Sequence, residues 1–248
     1  MNTATITNPV VSREQWVEAR KALLVKEKEQ TRRRDQLASE RRNLPWVKVD
    51  KEYVFDTAHG KKTLSELFRD KSQLIVYHFM LGPGWAEGCV GCSFGADHFS
   101  AALQHLLQKD VHFVAVSRAT VAEIDAFKKR MGWNFQWVSS NQSDFNYDFH
   151  VSASEEDKNK GGMYYNFQSQ PFVMDELPGI SVFYKNEDGE IFHTYSSYGR
   201  GGEEMLGTYF FLDLTPKGRE ETKGDMSEWV RHHDKYEKVI AEKESCCH

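Results

Sequence analysis

Several features that would narrow the function at once are missing from this chain. It has only four cysteines among 248 residues. Two of them, Cys246 and Cys247, are adjacent near the end, so the set does not form the disulfide framework of a small secreted domain. No apolar run approaches the ~20 residues needed to cross a bilayer. The most apolar stretch, residues 74–81, is strand-sized, and no membrane partner is expected. There is no basic excess either: 32 Lys and Arg against 37 Asp and Glu give a net charge of −5, so nucleic acid is not an expected partner. Residues 1–11 lack a basic segment followed by an apolar one. A secretory signal is therefore not expected, and the expected compartment is the cytoplasm. No cofactor is implied. Arg200-Gly201-Gly202 lacks the further glycines and the strand-to-helix setting of a dinucleotide fingerprint.

What remains is an ordinary globular composition, 40% hydrophobic and 28% charged, with 13% aromatic residues to fill a core. Residues 12–43 read as one long charged helix. Ser12 and Gln15 form a possible capping box, and Pro45 ends the pattern. Trp16, Val17, Ala19, Leu23 and Leu24 could supply a packed face. Residues 26–36 hold no apolar residue and suit a solvated surface with pairs such as Glu29 and Arg33. The arginines at 32–34, 41 and 42 leave an anionic partner open.

Residues 46–215 then alternate strands and helices, the pattern of an α/β domain with a mixed central sheet. Strands are expected at 46–49, 53–55, 73–81, 111–117 and 135–139, and helices at 64–68, 92–108 and 121–131. His59-Gly60 is expected to turn a strand into a helix. Residues 153–175 look like an insertion. Two more strands, 180–184 and 191–195, are joined by the hairpin signal Asn186-Glu187-Asp188-Gly189. Residues 216–248 are expected to form a C-terminal helix, 226–244, and a tail.

The candidate site is Cys89-Val90-Gly91-Cys92, which follows a buried strand and opens a helix. Unpaired N–H groups at a helix start favour a thiolate, and a second thiol three residues on can reach the first. Cys89 then attacks a disulfide and Cys92 resolves the mixed disulfide. The blander readings are two structural thiols, a structural disulfide, or half of a zinc site. The zinc site would have to be completed by His98, Cys246, Cys247 or His248. Other candidates are Arg118 and Arg200 as cations near a thiolate.

The segment Leu74-Ile75-Val76-Tyr77-His78-Phe79, followed by Trp85-Ala86-Glu87-Gly88-Cys89-Val90-Gly91-Cys92, resembles the active-site segment of thioredoxins. That resemblance implies a thioredoxin-like fold with Trp85 before the cysteines. It also implies His78 where thioredoxins often keep a buried acid, though a lone strand histidine more commonly stays neutral in the core. Pro178, one residue out of register, would stand for the proline that faces the cysteines. The sequence departs by an extra Gly82-Pro83-Gly84, by Gly88 in place of a tryptophan and by Val-Gly between the cysteines.

A wider set of motifs covers almost the whole chain: Val11-Ser12-Arg13-Glu14-Gln15-Trp16, Arg130-Met131-Gly132-Trp133, Asp144-Phe145-Asn146-Tyr147-Asp148 and Leu212-Asp213-Leu214-Thr215-Pro216-Lys217-Gly218-Arg219. These resemble the bacterial thioredoxin-like family catalogued as domain of unknown function 899, a likeness that implies a fold and no reaction. A peroxiredoxin would carry Pro seven and Thr or Ser three residues before its reactive cysteine. Counting back from Cys89 meets Gly82 and Ala86, and from Cys92 meets Trp85 and Cys89, so the pattern is absent. The functional expectation is a thiol–disulfide oxidoreductase acting on a disulfide-containing protein or a small thiol substrate and served by a cellular dithiol reductant. The alternative is a non-catalytic thioredoxin-like binding protein, with a peroxiredoxin-like peroxide reductase as the weaker enzyme reading.

Overall fold

The computed structural model describes residues 8–237. The chain divides into two compact units, Met1–Pro45 and Trp46–His248. The first holds helix α1 (Arg13–Arg42), which starts at the expected capping box: Ser12 and Gln15 each accept a hydrogen bond from the other's backbone N–H. Arg33 and Glu29 pair at 2.5 Å. Within this unit the apolar side chains expected to form a packed face find no core: α1 has no buried residue, and Trp16 and Leu23 are exposed.

The second unit opens with strands β1 (Val47–Lys48), β2 (Val54–Thr57) and β3 (Gly60–Thr63). His59-Gly60 therefore joins two strands of a hairpin, not a strand and a helix; Gly60 takes the turn at φ 101°. Thr63 caps the short helix α2 (Leu64–Leu67). Then follow β4 (Gln73–His78), α3 (Val90–Ala96), α4 (Phe99–Leu107), β5 (Val111–Ser117), α5 (Val121–Arg130), β6 (Gln136–Ser139) and α6 (Phe145–Asp148). The single helix expected over 92–108 is broken at Asp97-His98, where His98 turns its ring back to donate to the Phe94 carbonyl. Residues 153–175 contain α7 (Glu155–Lys160) and a separate hairpin, β7 (Met163–Tyr165) with β8 (Gln168–Gln170). Strands β9 (Gly179–Lys185) and β10 (Ile191–Tyr198), a 3-10 segment Gly199–Met205 and helix α8 (Gly207–Leu212) follow.

The main sheet has eight strands in the order β1-β10-β9-β4-β5-β6-β2-β3. Strands β4 and β5 are parallel, β9 runs antiparallel to β4, and β10 runs antiparallel to β9. The order β5-β4-β9-β10, with helices between β4 and β5, is the thioredoxin-like arrangement. Both faces are covered. Leu74, Val76, Val114 and Val116 pack on one side with α2 and Phe145 of α6, whereas Tyr77, Phe113 and Ala115 pack on the other with Cys92, Phe99 and Phe127. Each face takes alternate residues of a strand, and this alternation decides which side chains can reach the cysteines.

The helix expected from 226 onward is replaced, as far as residue 237, by two 3-10 turns, Met226–Glu228 and His233–Lys235. Val230 and His232 are both buried while Arg231 between them is exposed. That alternation suits an extended strap and not one helical face. Cys246, Cys247 and His248 lie outside the described residues. Among the described residues no helix is long and apolar enough to cross a membrane.

Candidate active site

Strand β4 delivers the chain to the site, and a folded loop aims the cysteines. The Cys89 N–H donates back to the Met80 carbonyl at 3.0 Å, and the Gly84 N–H donates to Glu123 of α5 at 2.8 Å. Gly88 has no room for a side chain: a Cβ there would stand 2.6 Å from the Phe79 ring and 2.8 Å from the Phe127 ring. A large side chain such as tryptophan does not fit at this position. Cys89 is the N-cap of α3, with φ −54° and ψ 133°. Its carbonyl accepts from the Ser93 N–H and from Ser93 Oγ, each at 2.9 Å.

The two thiols are free and differ in setting: Cys89 is half-buried and Cys92 is buried. Hydrogen bonding from the Cys92 thiol is the main influence favouring the Cys89 thiolate. Burial opposes ionisation of Cys89, but the backbone N–H groups of Cys92 and Gly91 also point at its sulfur. Its pKa falls from 9.0 to about 6. Cys92 moves the other way, raised well above 9.0 by burial and then by its neighbour Cys89. The hydroxyl of Tyr77, itself buried and held well above its ordinary pKa mainly by that burial, donates to Cys92. One thiol is thus set to ionise first and the other to hold its proton.

Beside the sulfurs lies a cavity of about 330 Å³. Tyr77, Cys92 and Pro178 line it from the sheet side, and Met205, Leu206 and Met226 from outside. The strap keeps the outer wall in place. His232 Nε2 donates to the Gly88 carbonyl at 2.9 Å, Lys235 binds both Glu87 oxygens at 2.7 Å, and Arg130 holds Asp234 at 2.7 Å. His233 donates to Asp97 at 2.7 Å. Met226 Sδ lies 3.0 Å from where a Cβ on Gly91 would be, so the strap rests directly on the turn between the cysteines.

The family described as a bacterial protein of unknown function (DUF899) matches residues 5–236. The chain belongs to the DUF899 family. Among solved structures, PrxQ from Xylella fastidiosa, crystallised as a mutant, is 16% identical, with 64% of this chain and 87% of that chain covered and a TM-score of 0.40. Peroxiredoxin Q from Xanthomonas campestris is 15% identical over 64% of this chain and 89% of that one, with a TM-score of 0.39. Peroxidoxin BcpB from Mycobacterium tuberculosis is 13% identical over 66% and 94%, also at 0.39. Similarities of this size transfer no activity and no residue role. No curated protein matches the chain.

In this DUF899 protein the residues singled out from sequence separate into two groups. Cys89, Cys92, Pro178 and Arg200 border one cavity. Pro178 does so with a trans peptide bond, since no bond among the described residues is cis. His78 is not beneath the cysteines. It lies on the opposite sheet face, stacked on Phe145 and Phe149 and sharing a 2.8 Å hydrogen bond with Ser181. Burial lowers its pKa to about 3, so the ring is neutral. Trp85 packs across Gly82 in the loop and does not line the cavity. Arg118 is also absent from the lining. Half-buried itself, it binds the buried Glu176 at 2.7 Å and donates to Tyr147. His98 uses both ring nitrogens on Phe94 and Thr208, and no group of three or more His, Cys, Asp or Glu among the described residues is placed to hold a metal ion. Sequence reasoning missed Tyr77, Met226 and His232. The alternation of β4 signals Tyr77, because it shares a face with Ile75 and Phe79; nothing local signals the strap.

Proposed function

We propose that this protein is a thiol–disulfide oxidoreductase in which Cys89 is the nucleophile and Cys92 the resolving thiol. The opposite displacement of the two thiol pKa values within one hydrogen-bonded pair carries the reading. The Cys89 thiolate attacks one sulfur of a disulfide RS–SR, breaks the S–S bond and expels RS⁻, which takes up a proton. A mixed disulfide, Cys89–S–S–R, remains. Cys92 then loses its proton and attacks the Cys89 sulfur, expelling the second RS⁻. Two electrons have passed from the Cys89–Cys92 pair to the substrate, and a dithiol reductant returns them. Tyr77, donating to Cys92, stabilises that sulfur as its charge develops.

The test is to trap the intermediate. C92S, mixed in the reduced state with a disulfide, should accumulate one substrate half as a mixed disulfide on Cys89, located by mass spectrometry. C89S should accumulate none, and the wild-type protein should pass to the Cys89–Cys92 disulfide. Absence of an adduct on C92S, with neither thiol oxidised in the wild type, would sink the assignment.

A further inference from the structure

We infer that the substrate is a low-molecular-weight disulfide with short uncharged arms, not a protein disulfide; this rests on the dithiol reading above. A dithiol that serves polypeptides needs an open surface on which an extended segment can lie beside the nucleophile. Here that surface is occupied. The 3-10 segment Gly199–Met205 supplies several residues of one wall of the cavity, and Asp225 and Met226 supply another. The strap behind Met226 is pinned by His232 to Gly88 and by Lys235 to Glu87, on either side of the peptide bond leading to Cys89's neighbour. Its hydrophobic layer, Val230 and Trp229 with Phe94 and Tyr209, seats it on α3.

The space left is about 330 Å³, at the small end of ligand cavities and too small for a folded protein's disulfide loop. Its chemistry is apolar near the sulfurs, with Tyr77, Met205, Leu206 and Met226. The charged groups at its edge are Arg200, exposed and paired with Glu203 at 2.6 and 3.2 Å, and Asp225, which accepts from the Ser227 N–H at 2.9 Å. Charged arms lying against the apolar walls beside the sulfurs would be desolvated there, whereas short uncharged arms would not.

The experiment follows single-turnover oxidation of the reduced full chain, freed of reductant, by three probes: bis(2-hydroxyethyl) disulfide, oxidised glutathione and insulin. The Cys89–Cys92 pair is read by alkylation and mass spectrometry. The first probe should react with a second-order rate constant at least about tenfold above the other two, a normal discrimination for a shaped pocket. Gly202 lines the cavity, and a Cβ there meets only Ile180 at 4.0 Å; G202L should slow the small probe selectively. M226A, which removes outer wall, should raise the insulin rate. Insulin or glutathione disulfide reacting as fast as the small probe in the wild type would overturn the substrate class and leave the dithiol intact. No oxidation by any of the three would overturn the dithiol reading and this inference with it.

Discussion

The Cys89 sulfur receives the Cys92 thiol and two backbone N–H groups, and no cationic side chain is needed to explain its lowered pKa. Alkylation of the reduced protein should therefore rise with pH through a midpoint near 6 at Cys89, while Cys92 stays slow to react throughout. A Cys89 midpoint at the ordinary thiol value would contradict the geometry. The same shift acts on stability. A group whose folded pKa is depressed stabilises the fold fully above its unfolded pKa and loses that contribution as pH falls through the folded one. The stability of the reduced protein relative to C89S should thus be greatest above pH 9.0 and shrink until about pH 6, measured by urea unfolding. How much of this was legible in sequence differs between neighbouring residues. The pair and its place at a helix start could be read from Cys89-Val90-Gly91-Cys92. The alternation of β4 sets Tyr77 and His78 on opposite faces, but β4 is apolar on both and its residues do not announce that the Tyr77 face is the one that meets α3.

At the scale of elements, the capping box read at Ser12 starts α1, which has nearly the bounds its sequence suggests, whereas the boxes that start α5 at Thr120 and α7 at Ser154 were not singled out. Local signals of that kind act within a few residues. The break between α3 and α4 depends partly on a bond from His98 to Thr208, 110 positions away, and so escaped periodicity. The loop before α3 depends on a different restraint, the absence of a side chain at Gly88. G88A should cost about 1–3 kcal/mol through overpacking against Phe79 and Phe127, read from the urea midpoint. It should also shift the Cys89 alkylation profile, because the loop that presents the sulfur must move. A variant of unchanged stability and profile would show that the close packing of this loop is not what positions the thiol.

For the whole molecule, the Arg118–Glu176 pair ties the end of β5 to the segment before β9. Glu176 is only 1% exposed and is also bonded by Ser152 at 2.7 Å. Burial already raises its pKa, an effect Arg118 partly offsets. R118A should cost about 3–5 kcal/mol near pH 7, because it leaves an uncompensated buried carboxylate. The loss should shrink on acidification, when Glu176 can fold in its protonated form; an equal loss at both pH values would contradict the ion-pair account. The cavity belongs to this scale too. Its walls come from β4, α3, the 3-10 segment after β10 and the strap, and no window of sequence contains them together.

That long separation has a consequence for the making of the protein. His232 secures Gly88 from 144 positions further along the chain, and synthesis at ~5–20 residues per second puts roughly 7–30 s between the emergence of one and the other. Throughout that interval the nascent chain carries its two thiols without the strap that completes their outer wall. Shielding by the strap comes long after the dithiol is made, and a chain stopped short of the strap would keep the dithiol while losing part of the enclosure that restricts what can reach it.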